Sequence, residues 1–162
     1  WLSARLVKMS MTGATLLFIL YSALMGVTMS SIFMVYTTAS IASVFFITAG
    51  TFLVMSLIGY FTRIDLTRIG SILVMALIGL IIASVVNIFL GNEVLYWVIS
   101  YVGVLVFVGL TAYDTQKIKQ MVAEYGSVDE MGHKLALFGA LSLYLDFVNL
   151  FLYLLRIFGD RR

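Results

Sequence analysis

Residues 9–62, MSMTGATLLFILYSALMGVTMSSIFMVYTTASIASVFFITAGTFLVMSLIGYFT, carry no charged side chain. A helix that crosses ~30 Å of hydrocarbon needs about 20 apolar residues at 1.5 Å of rise each. This run is long enough for two crossings, and the polar cluster from Ser30-Ser31 to Thr37-Thr38 marks the turn between them. The spacing predicts a first span near 9–29 and a second near 39–61. Working outward, Arg63, Asp65 and Arg68 form a short charged loop, and a third span runs near 69–90. It stops at Gly91-Asn92-Glu93, a helix-ending and turn signal. A fourth span, near 94–114, stays uncharged through Tyr113, and a fifth, near 135–155, carries one acid, Asp146, in its middle. The polar stretch 114–134 between them reads as the longest loop. Barrel strands would show ~10-residue alternating segments instead. The expected architecture is all-α: a single polytopic transmembrane helix bundle over residues 1–162, with five spans.

Composition agrees. The chain has 162 residues, 62% hydrophobic and 11% charged, against about 45–50% apolar and about 25% charged for a soluble domain. Apolar surface in that excess must face lipid, which excludes a soluble enzyme and a disordered scaffold. Ten basic and eight acidic residues give a net charge of +2, too few and too scattered for a phosphate-backbone patch, so no nucleic-acid partner is expected. Cysteine is absent and His133 is the lone histidine, which removes thiolate chemistry and a His-rich metal site. No nucleophile elbow, P-loop, dinucleotide fingerprint or zinc-helix motif occurs. Intramembrane aspartyl proteases carry Gly-x-Gly-Asp, whereas Leu143-Tyr144-Leu145 precedes Asp146. No enzymatic activity and no resident cofactor are expected.

Orientation follows from the lysines and arginines. One side receives Arg5, Lys8, Arg63, Arg68, Lys117, Lys119 and Lys134; the other receives Arg156, Arg161 and Arg162 at the C-terminal end. The loops at 63–68 and 115–134 are therefore expected in the cytoplasm and the C-terminus in the periplasm. The chain opens on Trp1 without a signal-peptide pattern, as a segment of a longer protein would. Ser22, Gly26 and Ser30, and again Gly79 and Ala83, repeat at four-residue spacing, and such small-residue stripes read as close helix packing.

Asp146 lies about 15 Å from either end of its span by helix rise. A charge at that depth costs from about 2.5–3.5 kcal/mol upward. The acid must face the bundle interior, stay protonated, or have a partner. It reads either as part of an ion or proton pathway or as a neutral group donating one interhelical hydrogen bond. Asp114 reads as an interfacial acid paired with Lys117 three residues on, worth a few tenths of a kcal/mol, or as a second intramembrane acid. Asn149, on the same helical face as Asp146, and Asn87, near the end of the third span, are supporting polar groups: carbonyl ligands, or hydrogen-bonding glue between helices. Glu93, Glu124, Asp129 and Glu130 read as solvated loop acids, and His133 beside Lys134 as a loop residue.

Thr111-Ala112-Tyr113-Asp114-Thr115-Gln116 and Leu143-Tyr144-Leu145-Asp146-Phe147-Val148-Asn149-Leu150-Phe151 resemble the Bax inhibitor-1 family, also called the transmembrane Bax inhibitor motif family. Leu154-Leu155-Arg156-Ile157-Phe158-Gly159 looks like the ending of its bacterial inner-membrane members, and the likeness extends to Tyr21-Ser22-Ala23-Leu24. Family members have seven helices, so the five here look like the third to the seventh. The resemblance implies an aspartate pair, carried onto Asp114 and Asp146, acting as a pH-sensitive latch on a calcium leak. Calcium takes 6–8 oxygens, so two acids, Asn149 and backbone carbonyls would make a weak, passable site. The alternative it implies is an interaction protein that binds or modulates the FtsH membrane protease. Counting from Lys117 and Lys134 places the two acids ~13 Å apart in depth at 1.5 Å per residue. Their pairing therefore requires tilt, or a fourth helix continuing past Lys119 with snorkelling lysines.

Overall fold

The computed structural model describes residues 9–125 and 130–162; Arg5, Lys8 and Asp129 lie outside them. Among the described residues, six helices follow in order: α1 Met11–Ser30, α2 Ile32–Val35, α3 Thr38–Phe61, α4 Thr67–Leu90, α5 Glu93–Tyr125 and α6 Glu130–Phe158. Five segments are long and apolar enough to cross a membrane, α1 and α2 counting as one. The chain is an all-α bundle of membrane-spanning helices. Its turns follow local chemistry. Ser10 and Thr37 cap α1 and α3, accepting from the Gly13 and Ser40 N–H groups. Asp65 accepts from the Thr67 N–H (3.0 Å) and hydroxyl (2.6 Å) at the start of α4, which holds its carboxyl below the usual carboxylate value. Gly91 ends α4 in the left-handed region at φ 59°, where a side chain would be strained.

Two expectations about boundaries change. The stretch 114–134, read as a loop, is helical to Tyr125 and again from Glu130. Its lysines and glutamates belong to helix ends emerging from the apolar layer. Glu130, read as a loop acid, stands in the first turn of α6 and pairs with Lys134 at 2.9 Å. The turn at 30–38 contains the short helix α2.

α5 is the hub, packing against α3, α4 and α6, while α6 also meets α3 and α1. Lipid tails are as apolar as leucine, so hydrophobicity does not drive helices together within a bilayer; close packing does. The close approaches sit at glycines other than those of the four-residue stripes. A Cβ on Gly59 would strike the Ala112 carbonyl, and one on Gly70 would enter the Tyr113 ring. One on Gly103 would lie 2.6 Å from the Tyr153 ring. Gly26 and Gly79 have nothing within 4 Å of that position, so those two stripe glycines make no close approach among the described residues. Val106, Phe107, Leu110, Leu150, Leu154 and Leu155 fill the centre, with Val44, Leu80 and Ile99 around them. Phe147 meets Phe45 and Phe52 edge-to-face at 5.6 and 5.4 Å, tying α3 to α6.

The C-terminal residues fold back on the α2–α3 turn. Arg161 bridges to Tyr36, the Thr37 N–H donates to the Asp160 carbonyl (3.1 Å), and the Arg162 N–H donates to the Val35 carbonyl (2.8 Å). Arg161 also donates to the Tyr96 hydroxyl at 2.7 Å. This end of the bundle therefore gathers the 31–37 turn, the start of α5 and the basic tail, opposite the 62–66 loop.

Candidate functional site: an aspartate pair inside the bundle

Asp114 on α5 and Asp146 on α6 line one cavity, close enough for each carboxyl to act on the other. The ~13 Å mismatch closes because α5 does not stop at Asp114. It continues eleven residues to Tyr125, and Asp146 lies sixteen residues into α6, leaving an offset of only five residues, ~7.5 Å of rise. Lys119 donates to the Tyr60 carbonyl at 2.6 Å and lies 4.8 Å from the Tyr60 ring centroid. Lys117 lies 5.9 Å from the Tyr113 ring centroid.

Asp146 is 5% exposed, and its Oδ2 has no hydrogen-bond partner among the described residues. The pair opens on a cavity of about 430 Å³ between α4, α5 and α6. Val74, Leu77 and Ile81 of α4 make one apolar wall; Lys117, Ser142 and Asn149 add polar groups. The neighbouring threonines turn their hydroxyls inward along α5: Thr111 donates to the Phe107 carbonyl and Thr115 to the Thr111 carbonyl, each at 2.7 Å. Hydroxyls so engaged satisfy themselves in an apolar setting without competing for the carboxylates.

The supporting asparagines part company. Asn149 lines the acid cavity, its amide donating to the Leu145 carbonyl at 2.8 Å. Asn87 does not join the acids. Its Oδ1 accepts the Asn92 N–H at 3.1 Å, and it lines cavities at the other end with Tyr96 and Arg156. It completes the α4–α5 turn because its place at the last helical turn brings it to the unsatisfied backbone there. For a cation, the oxygen donors in the acid cavity include the two carboxyls, the Asn149 amide oxygen and the Ser142 hydroxyl. No group of three or more histidine, cysteine or acidic side chains placed to hold a metal occurs among the described residues.

Sequence reasoning missed Gln116. It is buried, 7% exposed, and clamps the α3–α4 loop. Its Oε1 accepts the Leu66 N–H at 2.9 Å and its Nε2 donates to the Ile64 carbonyl at 2.8 Å. The available signal was a neutral amide two residues past an intramembrane acid, in a segment that reads as loop.

The profile of the family described as "Inhibitor of apoptosis-promoting Bax1" matches residues 1–162. The chain is 58% identical over 162 residues to the inner membrane protein YbhL of Escherichia coli K12, covering 99% of this chain and 69% of that protein. It is 55% identical over 161 residues to an uncharacterized protein of Borreliella burgdorferi (99% and 69% covered) and 50% identical over 155 residues to one of Rickettsia prowazekii (96% and 65% covered). With a family match along its whole length and a relative more than half identical, this chain of membrane-spanning helices belongs to the Bax inhibitor-1 family.

Proposed function

We propose that the protein is a pH-sensitive, calcium-permeable leak of the bacterial inner membrane, gated by Asp114 and Asp146. The observation that carries this reading is that the two acids line one cavity between α4, α5 and α6, with the buried Asp146 Oδ2 left without a partner among the described residues. Holding one proton, the pair draws α5 and α6 together. Losing it places two like charges in contact in a medium of low dielectric, where they repel strongly. The contact then opens, and four carboxylate oxygens face the cavity. The pair titrates as a unit, and the two arrangements of α5 against α6 form the bistable element that the proton biases. Calcium is the passing substrate. Two carboxylates, an amide oxygen and a hydroxyl reach only the lower end of its 6–8 ligands, and Lys117 opposes a cation at the same cavity, so residence is short, as conduction requires. In this reading the protein has no resident cofactor and performs no catalysis. The 63–68 loop and the 115–134 helix ends lie in the cytoplasm, and the tail from Arg156 to Arg162 lies in the periplasm, as the basic residues distribute.

The test is calcium-dye flux into liposomes containing the full-length protein, from pH 5 to 8. A one-proton latch changes its open-to-closed ratio by at most about tenfold per pH unit. Asp146→Asn keeps the volume and a hydrogen-bond donor but cannot release the proton, so its flux is expected to lose that dependence. Flux no greater than that of empty liposomes would refute the reading. In that case the alternative, modulation of FtsH, predicts altered protease turnover when the protein is deleted.

A further inference from the structure

At the end of the bundle remote from the acid pair, Arg156 of α6 and Arg161 of the tail converge on one ring. Their guanidinium carbons lie 5.0 and 5.9 Å from the centroid of Tyr96. Arg156 is also 5.3 Å from the ring of Tyr153, so it lies against two aromatic rings. Both arginines line a cavity of about 540 Å³ with Asn92, Glu93 and Trp97. Glu93 is the acid of this cavity, yet no ion pair joins it to either arginine among the described residues. Asp160, the nearest acid in the tail, engages Ser40 instead. Two cations therefore face one polar cavity with no carboxylate in contact, an arrangement of like charges that an anion between them would relieve. The cavity sits where α5 begins and α6 ends, at the edge of the apolar layer. Tryptophan, tyrosine and arginine at that depth suit a headgroup, and the planar guanidinium donates in pairs to phosphate oxygens.

We infer that this cavity binds a phosphate group, supplied by the headgroup of an anionic phospholipid, with Arg156 and Arg161 as its ligands. The acyl chains would continue along the exposed apolar faces of α4 and α5, where Phe89, Leu90 and Val94 are exposed.

Trp97 reports on the site. In full-length protein whose other tryptophans, Trp1 included, are replaced by Phe, Trp97 quenching is compared in bilayers containing brominated phosphatidylglycerol or brominated phosphatidylcholine at equal mole fraction. The expected result is an enrichment of phosphatidylglycerol next to Trp97 of about fivefold for each arginine engaged, lost stepwise in Arg156→Gln and Arg161→Gln. Arg161→Gln changes an exposed tail residue, so it tests the idea even if Arg156→Gln does not fold. Inorganic phosphate is titrated separately in wholly zwitterionic bilayers. An arginine-dependent change in Trp97 emission there supports the phosphate chemistry but assigns it to a free anion. Equal quenching by both lipids with no phosphate response overturns the inference.

Discussion

Replacing Gln116 by Leu removes the clamp between α5 and the α3–α4 loop while keeping a side chain of similar volume. The two lost bonds have unequal consequences. The Leu66 N–H is half-buried, and its partner has been exchanged for hydrocarbon, so it bears a desolvation cost of about 1–2 kcal/mol. The Ile64 carbonyl belongs to an exposed residue and recovers a bond to water, for a net loss of about 0.5 kcal/mol. The sum, about 2 kcal/mol, should appear as a lower midpoint when the protein in mixed micelles is unfolded with increasing SDS. Gln116→Glu separates the two bonds. Its carboxylate still accepts from Leu66, but its second oxygen faces the Ile64 carbonyl, acceptor against acceptor. Protonation restores the donor, so this variant should be destabilised at pH 8 and recover part of its stability at pH 4, whereas the Leu variant should show no such recovery. If Gln116→Leu matches the wild type within error, the clamp does not hold the loop. Because Gln116 lies two residues past Asp114 on the same helix, a loosened loop should also leave α5 freer to move against α6, and leak at a given pH should rise.

Gly59→Ala forces a methyl into the Ala112 carbonyl and should cost about 1–3 kcal/mol by prising α3 from α5, whereas Gly26→Ala, which meets nothing within 4 Å, should stay within about 0.5 kcal/mol; the same SDS titration compares them. Gly70→Ala should be rescued in part by Tyr113→Ala, since the clash is with that ring, and additive losses in the double mutant would contradict the contact. Asp65 has its carboxyl held below the usual 3.8 by Thr67, so its contribution is present above that pH and fades as the pH falls through the depressed value. The protection factor of amides in the first turn of α4, taken relative to the intrinsic exchange rate at each pH, should fall below about pH 4 in the wild type. In Asp65→Ala it should be low throughout. Asp114→Asn should flatten the pH dependence of flux as Asp146→Asn does, because a shared proton belongs to neither acid alone; a mutant that keeps the full dependence would show that the two titrate separately.

The charge-free run from Met9 to Thr62 allows no solution but lipid-facing helices, because the backbone in hydrocarbon must satisfy its own hydrogen bonds. The third span and its stop at Gly91 are legible for equally local reasons: about 20 apolar residues and a glycine able to take positive φ. Asp146 announces itself by the cost of its depth. Local pattern does not reach the partner. Asp114 lies close to Lys117, Lys119 and Glu124, and those charges imitate a loop, so its helix reads as ending where it in fact continues to Tyr125. Only the packing of α5 against α3 and α6 decides that Lys119 turns to Tyr60 while Asp114 turns inward to its counterpart. Nor can spacing choose which glycines matter. Gly26 and Gly79 have the regular four-residue pattern, yet Gly59, Gly70 and Gly103 are among those that meet another helix, since the place where two helices approach depends on their relative rotation and tilt. Asn87 and Asn149 are alike as residues, and their separation into a helix-ending turn and the wall of the acid cavity follows from tertiary position alone.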